Sequence, residues 1–252
     1  MKSARYDSIG HGYADQRRED PAIRRLIEEV LGDARTVLNI GAGTGAYEPS
    51  DRHVLAFEPS DVMAAQRPPS RVPALRIGAG PLPLRDASVD ASMAVLTIHH
   101  WDQERERGLR ELRRVTRGPV VVLTIDPTVS RELWLMKDYF PEVAALDDAI
   151  FPSLETLSEW LGRTRVEPVP VARDTTDRSL LAFWAHPEWV LDPAARAATS
   201  GFARMPASVV DRVVDAVRRD LEDGTWDERH GHLRELSHYD AGLRLVVAEP
   251  RS

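Results

Sequence analysis

No cysteine occurs among the 252 residues, which excludes disulfides, thiolate nucleophiles and sulfur-ligated zinc. Apolar runs such as Val120 to Ile125 reach only strand length, so no membrane span is expected. The opening stretch MKSARYDSIGHGYADQRRED lacks the apolar centre of a secretory signal, and a cytoplasmic protein is expected. Lysine is scarce: Lys2 and Lys137 stand among 33 basic residues, a bias of a GC-rich genome rather than of chemistry. Basic surplus is also missing. A net charge of −7 disfavours a nucleic-acid partner. Arg110, Arg113, Arg114 and Arg117 alternate with Glu104, Glu106 and Glu111, as on a solvated helix face.

What is present is ample apolar material, 42% of the chain with six Trp, enough for a large core. DPAIRRLIEEVLG (Asp20 to Gly32) reads as a helix with Asp20 as N-cap, Pro21 in the first turn and Gly32 past the end. TVLNI and HVLAFE read as strands, PSDVMAAQR as a short helix and ALRIG as a weaker third strand. VDASMAVLTI, the helix WDQERERGLRELRRVTRGP and the strand VVVLTID follow. Alternating strands and helices predict an α/β fold with a mostly parallel sheet and helices on both faces. Right-handed crossovers then gather the glycine loop, Glu58, TIHH and Asp126 at one sheet edge, where such folds bind ligands.

After Asp126 the pattern becomes bulkier. SLETLSEWLG and PASVVDRVVDAVRRDLEDG read as helices, and RVEPVPV as a strand partnered by GLRLVVAEP. Five Trp (134, 160, 184, 189, 226) fall in this half, either as ordinary core or as an aromatic wall around an apolar substrate. RHGH (Arg229 to His232) beside Asp227 and Glu228 lacks a well-spaced third ligand; it reads as an exposed loop, and no metal is expected.

The glycine loop in VLNIGAGTGAYE fits two cofactors. Gly41, Gly43 and Ala46 satisfy the dinucleotide fingerprint, whereas Gly41, Gly43 and Gly45 form the G-x-G-x-G that cradles S-adenosylmethionine. Only AYEPSDR separates the loop from the next strand. That leaves little room for the helix whose N-terminus would hold a diphosphate. Glu58, ending the second strand, suits either cofactor's ribose hydroxyls.

Leu82-Pro83-Leu84-x-Asp86-x-Ser88-x-Asp90, the strand ending in TIHHW, the glycine loop and FEPSDVM occur in consistent order. Over residues 5 to 126 the chain resembles the class I S-adenosylmethionine-dependent methyltransferases, in the small-molecule branch related to ubiquinone biosynthesis. The resemblance implies a Rossmann-like, seven-stranded sheet. Residues 1–126 would be the cofactor-binding core, and 127–252 its remaining strands with helical cap insertions at about 127–152 and 172–240. It implies S-adenosylmethionine as cofactor, S-adenosylhomocysteine as product, and a monomer or homodimer acting on a small acceptor, with neither nucleic acid nor membrane as partner. Gly41, Ala42 and Gly43 would hold the methionine moiety and Glu58 the ribose. Pro59 and Met63 would line the adenine side, Gly78 and Ala79 would flank the ring, and Leu96, Thr97 and Ile98 would floor the cofactor. Tyr13 and either Arg17 or Arg18 would meet its carboxylate.

Two positions depart from the family pattern. Asn39 stands where an acid usually contacts the cofactor's ammonium, keeping the acceptor oxygen without the charge. Gly78 replaces the common Asp that hydrogen-bonds the adenine amine. His99 and His100 lie beside the expected methyl group; one of them, with His100 preferred, is a candidate base for a hydroxyl, phenol or carbon acceptor. The alternatives are a nicotinamide-linked oxidoreductase and a member that binds the cofactor without transferring methyl.

Overall fold

Asp20 opens the first helix with its own carboxylate, which accepts from the amides of Ala22 and Ile23 at 2.8 and 3.4 Å. In the computed structural model, which describes residues 18–250, this helix α1 spans Pro21–Leu31 and stops at Gly32, where φ is +51°. Next come β1 (Thr36–Ile40), β2 (His53–Phe57) and α2 (Asp61–Ala65), the last capped by Ser60. β3 (Ala91–Val95) leads through a 3-10 turn at Ile98–His100 to α3 (Arg105–Val115) and β4 (Val120–Ile125). The chain continues with α4 (Pro127–Ser130), a π turn at Leu135–Tyr139, α5 (Pro141–Ile150), α6 (Leu154–Leu161), β5 (Thr164–Pro168) and β6 (Val171–Ala172). After two 3-10 turns come α7 (Pro193–Ala197), α8 (Ser200–Ala203), α9 (Ala207–Glu222), α10 (Thr225–His230), β7 (His238–Tyr239) and β8 (Leu243–Ala248).

Six strands form the main sheet in the order β2-β1-β3-β4-β8-β5. The first four are mutually parallel, and β8 inserts antiparallel between β4 and β5. Strand order reverses between β1 and β3, so the crevice at their C-terminal ends is the place for a ligand. Because β4 is covered on both faces, it reads as an almost unbroken apolar run, VVVLTI. Val121 and Leu123 pack with α1 and the aromatic second half, while Val120 and Val122 pack with Leu109, Leu112, Leu157 and Leu161.

The main sheet holds six strands among the described residues, not seven. The ALRIG segment contributes one parallel bridge, Phe57 to Leu75. Leu75 is 54% exposed at this sheet edge, and Pro73 just before it has no amide to extend the ladder. The arginine-rich face of α3 is also only partly solvated. Arg110 pairs with Glu106 outside, but Arg113 is buried and donates to the carbonyls of Thr116, Gly118 and Glu249. Arg114 binds the carbonyls of Leu82 and Leu84 together with Asp86 and Glu111. Asp90 accepts from the Thr36 amide and hydroxyl, both at 2.9 Å. The LPLxDxSxD signature is therefore a brace that ties β3 to β1 and α3.

The RHGH segment is helical rather than a loop, ending α10 and opening a 3-10 turn. His230 meets Asp138 at 2.9 Å, and no group of three metal-ligating side chains forms among the described residues. Trp134, Trp184 and Trp226 are buried core residues, with Trp134 and Trp226 edge to face at 5.4 Å. Within the described residues no helix is long and apolar enough to cross a membrane.

Candidate active site

The glycine turn leaves β1 with left-handed backbone at Gly41 (φ +63°), Gly43 (+50°) and Gly45 (+90°). At Gly41 the need for glycine is also steric: a Cβ there would lie 1.9 Å from Thr97 Oγ1. Thr97 thus packs directly beneath the turn. Leu96, beside it, holds φ +47°, an uncommon state for a leucine that turns the chain out of β3. No helix separates the turn from β2, so the electrostatic partner a diphosphate requires is missing there.

Beneath the turn lies an ion pair that sequence reading missed. Glu48 is essentially sealed and meets Arg67 Nη2 with both oxygens, at 2.9 and 2.7 Å. Arg67 Nη1 also donates to the carbonyls of Ala42 and Gly43, at 3.3 and 3.1 Å. Glu48 in turn accepts from the Asn39 amide at 3.0 Å. An Asp at position 39 would set a second acid against Glu48; Asn instead donates to it. The outcome leaves Asn39 Oδ1 buried with no hydrogen-bond partner, an acceptor of the kind an ammonium group takes.

Glu58 sits past the end of β2, 5% exposed, and accepts from the Gly43 amide at 2.8 Å and the Ser60 amide at 2.7 Å. Burial pushes its carboxyl above the usual range, against the lowering pull of those amides and of Arg76 and Arg67. Each oxygen carries one amide bond and keeps a lone pair for a ribose hydroxyl. Met63 is buried against the turn and Pro59 is exposed beside it. Ala79 touches the face of α3 at Gly108, and Gly78 is exposed, with open space where a side chain would project. Arg18 lines a groove together with Thr44, Gly45 and Ala46 of the glycine turn and with Leu96. Tyr13 and Arg17 lie outside the described residues.

A cavity of about 90 Å³ opens beside Leu96. Its lining includes Tyr47, His99, Met136, Asp147, Phe151 and Leu180, and no Trp. The Trp residues accordingly serve as core rather than as its wall. His99 is buried, with its ring 4.5 Å from that of Phe151 and 3.8 Å from that of His100.

Asn39 Oδ1, the glycine turn and Glu58 together fit the ammonium, methionine chain and ribose of S-adenosylmethionine. When bound, that cofactor supplies an electrophilic methyl on sulfonium.

Comparison with known proteins agrees with this geometry. Residues 38–122 match the model of a methyltransferase domain family. A crystal structure from Anabaena variabilis, of a protein assigned to an antibiotic biosynthesis pathway as a methyltransferase, is 30% identical with a TM-score of 0.83. That alignment covers 92% of this chain and 98% of that one. An S-adenosylmethionine-dependent methyltransferase of Thermotoga maritima is 18% identical (TM-score 0.52), with 98% of this chain and 93% of that chain covered. The 4+2 cyclase SpnF is 19% identical (TM-score 0.50), with 98% and 95% covered. These last two share the fold. No curated protein gives a significant sequence match. With its helix-free glycine turn, its acid after β2 and an end-to-end match to the Anabaena protein, the chain belongs to the class I S-adenosylmethionine-dependent methyltransferases.

Proposed function

We propose that this methyltransferase acts on a small, partly apolar molecule and delivers the methyl group to oxygen. The observation that carries the reading is the cavity beside Leu96: it is lined mainly by aliphatic and aromatic side chains and has His99 in its wall. Methyl transfer is an in-line displacement, so catalysis rests chiefly on holding the acceptor against the sulfonium methyl. An imidazole in the wall takes the acceptor's proton as the oxygen attacks. His99 is favoured over His100 because it lines this cavity, while the His100 ring lies tilted against it outside the lining. In this reading Gly41, Ala42, Gly43, Asn39 and Glu58 hold the cofactor, with Met63, Pro59, Gly78 and Ala79 around the adenine and Leu96 and Thr97 beneath.

Residues 1–126 form the cofactor-binding core, and segments 127–152 and 172–240 cap it. In support, Met136, Asp147 and Phe151 from the first segment and Thr175, Leu180 and Gly201 from the second face the same cavity. The enzyme works in the cytoplasm as a monomer or homodimer, without nucleic acid. The Anabaena relative's pathway supports a place in secondary metabolism.

The test is transfer from methyl-labelled S-adenosylmethionine to a panel of phenols, alcohols and amines. Label is expected in a methyl ether, and His99→Ala is expected to lower kcat by about 10²-fold or more while leaving cofactor affinity within about twofold. Label in protein or nucleic acid alone, or tight cofactor binding with no labelled small molecule, would overturn the reading.

A further inference from the structure

The charges around the acceptor cavity are one-sided. Of the described residues lining it, Asp20, Asp147 and Asp177 are acidic and none is Lys or Arg. Two of these acids are engaged in the fold: Asp20 caps α1, and Asp177 accepts from the Arg18 amide at 3.3 Å. Asp147 differs. It is 7% exposed, and its side chain makes no hydrogen bond or ion pair among the described residues.

Its position follows from the helix that carries it. Val143, one turn earlier on α5, is fully buried, and Phe151, one turn later, packs its ring at a tilt against His99. Asp147 therefore occupies a place in the apolar stripe where packing alone would select a hydrophobic residue. Burial raises its carboxyl to about 7; Arg204 opposes the shift and Asp148 reinforces it. Buried carboxylates are ordinarily hydrogen-bonded or ion-paired. Asp147 faces the cavity with the longer-range pull of Arg204 but with no donor in contact among the described residues, which leaves its oxygens open to a ligand that brings one.

We propose that Asp147 anchors the acceptor and that the acceptor carries a protonated amine, seated against this carboxylate while its methyl-accepting oxygen lies toward His99. This rests on the proposed small-acceptor function and adds the substrate class. The cation supplies a charge-assisted hydrogen bond to Asp147 and offsets the acidic lining, whereas an anionic acceptor meets three carboxylates and no cation among the described lining residues.

Three probes separate the possibilities. Tyramine, tyrosol and phloretate present the same phenol with an ammonium, a hydroxyl or a carboxylate at the far end. Each is titrated calorimetrically into the full chain saturated with S-adenosylhomocysteine at about pH 8, where Asp147 is ionised and the amine still protonated. Tyramine is expected to bind at least about tenfold more tightly than tyrosol, with phloretate weakest. Asp147→Asn is expected to reduce tyramine affinity about tenfold or more and to leave S-adenosylhomocysteine and tyrosol within about twofold. Equal binding of tyramine and tyrosol, a preference for phloretate, or a tyramine affinity unmoved by Asp147→Asn overturns the amine assignment while leaving the small-acceptor function standing. Failure of all three to bind overturns both. Should Asp147→Asn not fold, the ranking of the probes on the wild-type protein decides alone.

Discussion

Arg67 closes on Glu48 through two hydrogen bonds from one nitrogen, with 4% and 1% of the two side chains exposed. The pair sits under the cofactor turn and reaches it through the carbonyls of Ala42 and Gly43. Removing the cation alone strands a buried carboxylate. Arg67→Ala is expected to lower stability by about 3–5 kcal/mol in urea unfolding. The double variant Arg67→Met/Glu48→Met should recover part of that loss. A single variant with wild-type stability would show that the pair contributes little.

Glu58 offers its remaining lone pairs to the ribose. Glu58→Ala is expected to weaken S-adenosylmethionine binding at least about tenfold, the loss of one charge-assisted contact. Since burial holds this carboxyl above its ordinary range, protonation on acidification removes the acceptor earlier than for a free Glu. Cofactor affinity in wild type should fall as the pH drops through that raised value. Calorimetry across pH checks both points, and unchanged affinity in the variant would remove Glu58 from the site.

Gly78 leaves open space where a side chain would project. Gly78→Asp is accordingly expected to fold normally and to tighten S-adenosylmethionine binding by about 0.5–1.5 kcal/mol, through a bond to the adenine amine. Equilibrium binding measures this. A weaker-binding, stably folded variant would mean that adenine lies elsewhere.

Asp147 sets a stability effect with a definite sign. Its carboxyl is raised in the folded state from 3.8 to about 7, so folding favours its protonated form. Its contribution is fully present below the unfolded value and is lost as pH rises toward 7. Asp147→Asn should match wild type near pH 4 and exceed it near pH 8, by a margin approaching roughly 4 kcal/mol. Urea midpoints at the two pH values test this; equal margins at both would place the titration elsewhere.

Features written in local sequence were readable before the fold. Asp20, Pro21 and Gly32 delimit α1, the three glycines mark the turn, and the short Pro-containing link after them excludes a helix. Contacts between distant segments were not readable. Nothing around Glu48 announces Arg67, because the pairing depends on how α2 and the segment after it fold back under the turn. Arg113 and Arg114 share their composition with a solvated face, and only packing turns them toward carbonyls. Asp147 did leave a trace, as an acid at the helical spacing of Val143, but the adjacent Asp148 masked it as a polar surface pair. ALRIG has strand composition, yet Pro73 and its edge position reduce it to a single bridge.

The placement of β8 bears on how the protein is made. Residues 243–248 fill the slot between β4 and β5, which are synthesised about 80 to 120 residues earlier. Until β8 emerges from the ribosome, β4 presents an unpaired valine-rich edge beside the already paired parallel strands, open to pairing with other nascent chains. The sheet is thus completed after translation of its other strands, through contacts of long sequence separation that close slowly.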